Sequence, residues 1–296
     1  MSAAFLRIGT RGSPLALAQA YETRRRLAAV HDIAEERIEL VIIKTTGDAI
    51  VDRPLSEAGG KGLFTKELEA ALLRGEADLL VHSLKDVPMA VDPRIPLVGV
   101  SAREDERDVL VLPEGGAPRG GAKPIGCSSL RRSLQLQRLF PGCAVAPVRG
   151  NVLTRLRKLD EGQYGALCLA AAGLRRLGLE SRVSRYFTAD EMLPAACQGI
   201  LALQARADFD RTVLAGLHDA DAWDAALCER AFVRALDGGC SSPTAGHAVL
   251  RGDTIELTGL YVGPGGEARR DRLSGPRREA ERLGARLAAR MREECR

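Results

Sequence analysis

Twice along this chain, short apolar runs of strand length alternate with stretches of helical periodicity, and that repeat limits the fold more than any other feature. Residues 6–9, 39–44 and 77–82 read as strands, with helices expected over 14–27 and 65–74. Ser13-Pro14 opens the first helix as an N-cap followed by proline at the first helical position. Leu68, Leu72 and Leu73 share one face of the second. This βαβαβ order predicts a mostly parallel sheet. The pattern then restarts, with strands expected at 108–112, 125–127, 144–148 and 166–170 and helices at 130–140, 152–160 and 172–177. The Pro/Gly-rich residues 112–124 read as a surface loop. A strand at 200–204 follows after the second set is complete. A third segment begins near Asp219: a helix to Ala235, a Gly-rich turn, strands at 246–250 and 254–261, and a helix at 277–292.

At about 150 residues per domain, a chain of 296 suggests two domains or three small ones. Its 45% apolar and 28% charged residues are ordinary for a globular protein, and its length can bury a core without disulfides or metals. The N-terminal residues show neither the basic and apolar segments of a signal peptide nor a run near the ~20 residues of a membrane span. The expected location is the cytoplasm, with no membrane partner. The seven cysteines (127, 143, 168, 197, 228, 240, 295) are then expected as reduced thiols. None has C-x-x-C spacing and the four histidines are scattered, so no metal site is expected.

Residues 79–88, Leu-Leu-Val-His-Ser-Leu-Lys-Asp-Val-Pro, carry the sharpest local signal. An apolar run stops at His82, Ser83, Lys85 and Asp86. In an open α/β sheet, polar groups at a strand's carboxyl end face the crevice where ligands bind. A carboxylate, an ammonium and a hydroxyl therefore meet at a pocket mouth, unless the segment is an ordinary solvated strand-to-helix turn.

Four further segments place arginine beside small polar residues at a helix start: 9–14 with Arg11 and Ser13, 126–132 with Ser128, Ser129, Arg131 and Arg132, 148–155 with Arg149, Gly150 and Arg155, and 173–176 with Arg176. Helix N-termini offer free N–H groups and a positive dipole end, and arginine presents a planar fork to carboxylates. Each segment alone also fits a solvated face; four together point to a polyanion cleft. Residues 59–65 lack the spacing of a phosphate loop, and no strand is followed by G-x-G-x-x-G. Aromatics at 4% give no stacking partners for nucleic acid. The expected ligand is a small molecule rich in carboxylates.

Cys240, between Gly238-Gly239 and Ser241-Ser242-Pro243, sits in an exposed turn, whereas Cys168 and Cys228 have the neighbours of inert core thiols. Neighbouring guanidiniums would favour its thiolate. His247 lies beyond a turn, so a Cys–His hydrolase fits poorly.

Seven motifs in order resemble the porphobilinogen deaminase (hydroxymethylbilane synthase) family: Arg7-Ile8-Gly9-Thr10-Arg11-Gly12-Ser13-Pro14-Leu15-Ala16; Gly59-Gly60-Lys61-Gly62-Leu63-Phe64; the segment 82–88; Ser128-Ser129-Leu130-Arg131-Arg132; Arg149-Gly150-Asn151; Leu193-Pro194 with Gln198-Gly199; and Gly238-Gly239-Cys240. The resemblance implies an α/β fold with two lobes like those of periplasmic binding proteins, a central cleft, and a small C-terminal α+β domain. It places domain 1 at 1–101 with 197–216, domain 2 at 102–196 and domain 3 at 217–296. The strand at 200–204 then belongs to the first lobe.

The same resemblance implies a transferase of tetrapyrrole biosynthesis. It would condense four porphobilinogen molecules, with loss of ammonia, onto a dipyrromethane held by a thioether to Cys240, and release a linear tetrapyrrole. Asp86 matches the family's catalytic carboxylate. Arg11, Ser13, Ser83, Lys85, Cys127, Ser128, Ser129, Arg131, Arg132, Arg149, Gly150, Arg155, Arg176, Gln198 and Gly199 match its contacts to cofactor and growing polypyrrole. Lys61 and Phe64 match a loop over the cleft. A monomer is expected. The chain departs from the family pattern at Cys127, where threonine is usual, and over Ser242-Pro243-Thr244-Ala245. A noncatalytic two-lobed carboxylate-binding module is the alternative that fold alone leaves open.

Overall fold

A computed structural model describes residues 4–49, 65–116, 123–238 and 242–295. The chain divides into two compact units, 1–103 with 200–223 and 104–199 with 224–296.

The first unit opens with β1 (Leu6–Arg11), α1 (Pro14–Val30), β2 (Ile38–Ile43), α2 (Thr46–Ala49), α3 (Lys66–Leu73), β3 (Leu79–Ser83) and β4 (Leu97–Val100). Ser13 caps α1 by accepting from the Ala16 N–H, and Pro14 sits where its missing N–H costs nothing. The second unit begins with β5 (Asp108–Val111), β6 (Ile125–Gly126), α4 (Leu130–Leu139), β7 (Val145–Ala146), α5 (Val152–Asp160), β8 (Ala166–Ala170), α6 (Ala171–Arg176) and β9 (Arg185–Tyr186). The chain then returns to the first unit as β10 (Leu201–Ala205).

The first sheet has the order β2-β1-β3-β10-β4 and the second β7-β6-β8-β5-β9. In the first, β1 runs parallel to β2 and β3, while β10 runs antiparallel to β3 and β4. In the second, β6 runs parallel to β7 and β8, while β5 runs antiparallel to β8 and β9. The expectation of mostly parallel sheets holds, with one reversed strand in each, β10 in the first and β5 in the second. The strands joined by helical crossovers are parallel, and later or earlier strands enter from the opposite end.

Each first-sheet face packs on helices. Ile8, Leu79, Val81, Leu201 and Leu203 bury one face with Ala20 and Leu27 of α1. Leu80 lies on the other, with Leu68 and Leu72 of α3. Gly9 is required there, because a Cβ would lie 2.6 Å from Leu80 Cδ2. Gly126 repeats the arrangement in the second sheet, 2.5 Å from Leu167 Cδ2. The register agrees, with Gly9 opposite Leu80 and Gly126 opposite Leu167.

The rest of the chain forms α7 (Ala220–Ala235), β11 (Ala245–Arg251), β12 (Thr254–Val262), β13 (Ala268–Pro276) and α8 (Ala280–Glu293). The three strands form an antiparallel sheet, completing the α/β architecture of two sheet-centred lobes and a small C-terminal α+β part. Glu229 of α7, fully buried, accepts from the Cys197 N–H at 2.5 Å and the Ala248 N–H at 2.7 Å. It thereby ties β11 to the segment that precedes Gln198. Among the described residues no helix is long and apolar enough to cross a membrane.

Candidate active site

In both units most of the predicted residues collect at the carboxyl ends of parallel strands, where helix N-termini also lie; Arg176, expected at a helix start, is instead the last residue of the short α6. In the first unit, Arg11 ends β1 and Ser13 caps α1. Ser83 ends the adjacent β3, and its hydroxyl accepts from Gln19 Nε2 of α1 at 2.8 Å. A single 3₁₀ turn, Leu84–Asp86, follows. Leu84 and Val87 are fully buried on either side of Lys85 and Asp86, so the half-buried ammonium and the exposed carboxylate are displayed on anchored backbone. The Leu84 N–H donates to the Ile200 carbonyl at 2.9 Å, which fixes the start of that turn.

In the second unit, Cys127, Ser128 and Ser129 follow β6. The buried Cys127 Sγ accepts from the Ser129 N–H at 3.4 Å, the place where a threonine hydroxyl would be a stronger partner. Ser128 Oγ donates to the Val148 carbonyl at 2.5 Å and accepts from its N–H at 3.1 Å, holding the backbone that leads into Arg149 and Gly150. Ser129 caps α4 through the Arg132 N–H, and Asn151 caps α5 through the Thr154 N–H. Gly150 has φ +106, and a Cβ there would meet Thr154 Cγ2 at 2.6 Å, so only glycine fits. Its carbonyl accepts from Arg155 Nε at 2.8 Å. The Gly199 carbonyl accepts from the Arg176 guanidinium at 3.0 Å.

Arg131 and Arg132 turn inward. Both guanidiniums lie on Asp108, at 2.6 and 2.7 Å, with Asp108 fully buried. Gln198 Nε2 donates to the same carboxylate at 2.9 Å. Burial alone would push the Asp108 carboxyl up, but the two guanidiniums outweigh it and hold the group well below the usual carboxylate range. Two cations on one anion leave net positive charge beneath the N-terminus of α4. Burial also pushes the Cys168 thiol far up and that of Cys228 to about 12, as expected of inert core thiols.

Cys240, Lys61 and Phe64 lie outside the described residues. Sequence reasoning missed two partners that the structure supplies. Asp108 stands at the first position of an apolar strand, and that misplaced charge was its only signal. Gln19 lies in α1, where a buried amide facing a strand end has no sequence mark.

The fold defines an α/β protein in which each unit sets cationic side chains and capped helix starts at the carboxyl ends of its parallel strands, ground suited to anionic groups. A family model described as "Porphobilinogen deaminase, dipyromethane cofactor binding domain" matches residues 6–214. A second, "Porphobilinogen deaminase, C-terminal domain", matches 223–293. The "Porphobilinogen deaminase" of Acetivibrio thermocellus is 53% identical over 286 residues, covering 97% of both chains. That of Alkaliphilus oremlandii is 50% identical over 289 residues, 98% of this chain and 97% of its own. The second substrate-binding domain of a putative amino acid ABC transporter from Streptococcus pneumoniae covers 71% of this chain and 89% of its own, at 13% identity and a TM-score of 0.42. The chain belongs to the porphobilinogen deaminase family, whose dipyrromethane cofactor-binding domain spans most of its length.

Proposed function

We propose that this chain deaminates porphobilinogen and joins four of its molecules head to tail on a dipyrromethane carried by Cys240, releasing the linear tetrapyrrole hydroxymethylbilane. Family membership over the full chain supports the reaction, and the cationic sheet edges support its ligand. The observation that carries the reading is Asp86, displayed by buried Leu84 and Val87 beside Lys85 at the end of β3.

The donor set fits a dipyrromethane, whose pyrroles each carry two carboxylate side chains. Arg11, Ser13, Ser83 and Lys85 would hold such groups in the first unit. In the second, Arg149, Arg155, Arg176, the Gly150 and Gly199 backbone, Gln198 and the polar groups of Cys127, Ser128 and Ser129 would do so. Arg131 and Arg132 add positive potential from below, through the net charge left on Asp108. When bound, the cofactor supplies a tethered primer onto which each new ring is added. Asp86 accepts from pyrrole N–H groups, offsets the positive charge that develops as ammonia departs, and relays protons. Lys61 and Phe64 complete the set of contacts that this reading assigns to the bound rings.

We read the chain as three domains with the boundaries given above, and the enzyme as a cytoplasmic monomer without nucleic-acid partners. The low aromatic content and the absence of a membrane-length apolar segment support that reading.

Asp86→Asn should retain its dipyrromethane by mass yet lose at least about a hundredfold in turnover, the scale of a lost acid–base group. Near-normal turnover would remove Asp86 from the mechanism.

A further inference from the structure

The α3 side of the first sheet ends differently from the matching side of the second. Gly9 opposite Leu80 corresponds to Gly126 opposite Leu167. Two residues on from these leucines stand His82 and Leu169. In the neighbouring antiparallel strand, Gln204 faces Leu80 whereas Val111 faces Leu167. Asn151 caps α5, while the Thr65 side chain makes no capping bond to α3.

Three positions that are apolar or satisfied in one sheet are therefore polar and unsatisfied in the other. His82 Nε2, Gln204 Oε1 and Thr65 Oγ1 are buried with no bond of full hydrogen-bond geometry among the described residues, although Gln204 lies near enough to act on the His82 ring and its Nε2 stands 3.5 Å from Glu69 of α3. The three residues are 6%, 0% and 2% exposed. Leu169 and Val111 show that this topology closes with hydrocarbon at two of these positions. Buried polar groups kept without partners, at the edge of a ligand site, point to a partner that arrives with the ligand.

The fourth group at this corner is Arg11. It lies two residues beyond Gly9 on the same pleat face, the α3 side, and its charge acts on the His82 ring. Gln204 Nε2 is already engaged with the Ile95 carbonyl at 2.8 Å, which leaves its oxygen facing inward. A carboxylate pressed on that oxygen would be repelled, and a cation would be repelled by Arg11. Water, with two donors and two acceptors, suits an imidazole, a carboxamide oxygen and a hydroxyl together.

We propose that His82 is a positioning residue for a carboxylate held at Arg11: with Gln204 and Thr65 it forms a neutral polar pocket whose missing hydrogen bonds are completed, through one ordered water, when that carboxylate is in place. The inference rests on the assignment of Arg11 to pyrrole carboxylates made above. It makes the pocket costly in the empty enzyme and favourable in the occupied one, so part of the affinity for substrate comes from relieving it.

The test uses enzyme shown by mass to carry its dipyrromethane. His82→Leu, which copies Leu169, should melt at or above the parent's temperature, because an unsatisfied buried group is replaced by hydrocarbon. Its KM for porphobilinogen should rise about tenfold with kcat changed less than about threefold, the signature of lost binding rather than lost chemistry. His82→Gln should recover most of the KM. A lower melting temperature with an unchanged KM would make the histidine purely structural and overturn the proposal. In an Arg11→Gln background, His82→Leu should add nothing further to KM; full additivity would overturn the coupling while leaving Arg11 its role. A normal KM in Arg11→Gln alone would instead remove the assignment of Arg11, and this inference with it.

Discussion

The two five-stranded sheets share one topology and one glycine–leucine contact, yet they finish their functional edges by opposite means. The second buries its charges around one anion: Asp108 takes Arg131, Arg132 and Gln198, with a net positive charge and Arg131 Nε left over, and Ser129 and Asn151 cap the helices that follow. The first leaves His82 Nε2, Gln204 Oε1 and Thr65 Oγ1 buried without hydrogen bonds among the described residues and displays Lys85 and Asp86 on a single turn. A common frame thus carries a buried cationic base in one unit and a neutral polar corner in the other.

The sharpest way to break this comparison is Asp108→Ala, which strands two buried guanidiniums. It should cost about 3–5 kcal/mol in urea unfolding; a loss below about 1 kcal/mol would show that the second edge is not held by that pair.

A pH series separates the two edges next. Burial, opposed by Gln204 and reinforced by Arg11, holds the His82 imidazole at about 4, against 6.5 when unfolded. Between those values the unfolded chain binds more protons, so stability is complete above 6.5 and lost as pH falls toward 4. The loss should reach roughly 3 kcal/mol and disappear in His82→Leu. Asp108 behaves in a different window: its depressed carboxyl stabilises the fold above its ordinary 3.8, and that contribution is lost only as pH falls below it. An unfolding midpoint equally pH-dependent in parent and His82→Leu would contradict the assignment of the upper window.

The smallest effects come from the caps. Ser129→Ala and Asn151→Ala should each cost about 1 kcal/mol, whereas Thr65→Ala should be neutral or stabilising because its hydroxyl caps nothing. Equal losses at all three in urea titrations would erase the difference between the edges.

The strands and helices with apolar periodicity were legible in the sequence almost to the residue, as 152–160 and 166–170 show. β13 was not, because Ala-Arg-Arg-Asp-Arg-Leu-Ser-Gly-Pro is a solvent-facing strand with little apolar signal. β4 is too short to stand out, and β9 has only two residues. The reversed direction of β5 and β10 was not legible, because it depends on where the chain enters the sheet, which no local pattern encodes. At the site, motif order led to the strand-end residues. It gave no hint that Arg131 and Arg132 would share Asp108, a contact across 23 and 24 residues, nor that His82 would lie where the sister sheet has leucine.

The central claim is a primer of two pyrroles attached to the sulfur of residue 240. Intact-protein mass spectrometry of the purified enzyme measures it directly. The parent should exceed its sequence mass by one dipyrromethane, further rings should add on exposure to porphobilinogen, and Cys240→Ser should show only its bare mass. An active parent at its bare sequence mass, or a Cys240→Ser protein that still carries the adduct, would contradict the account.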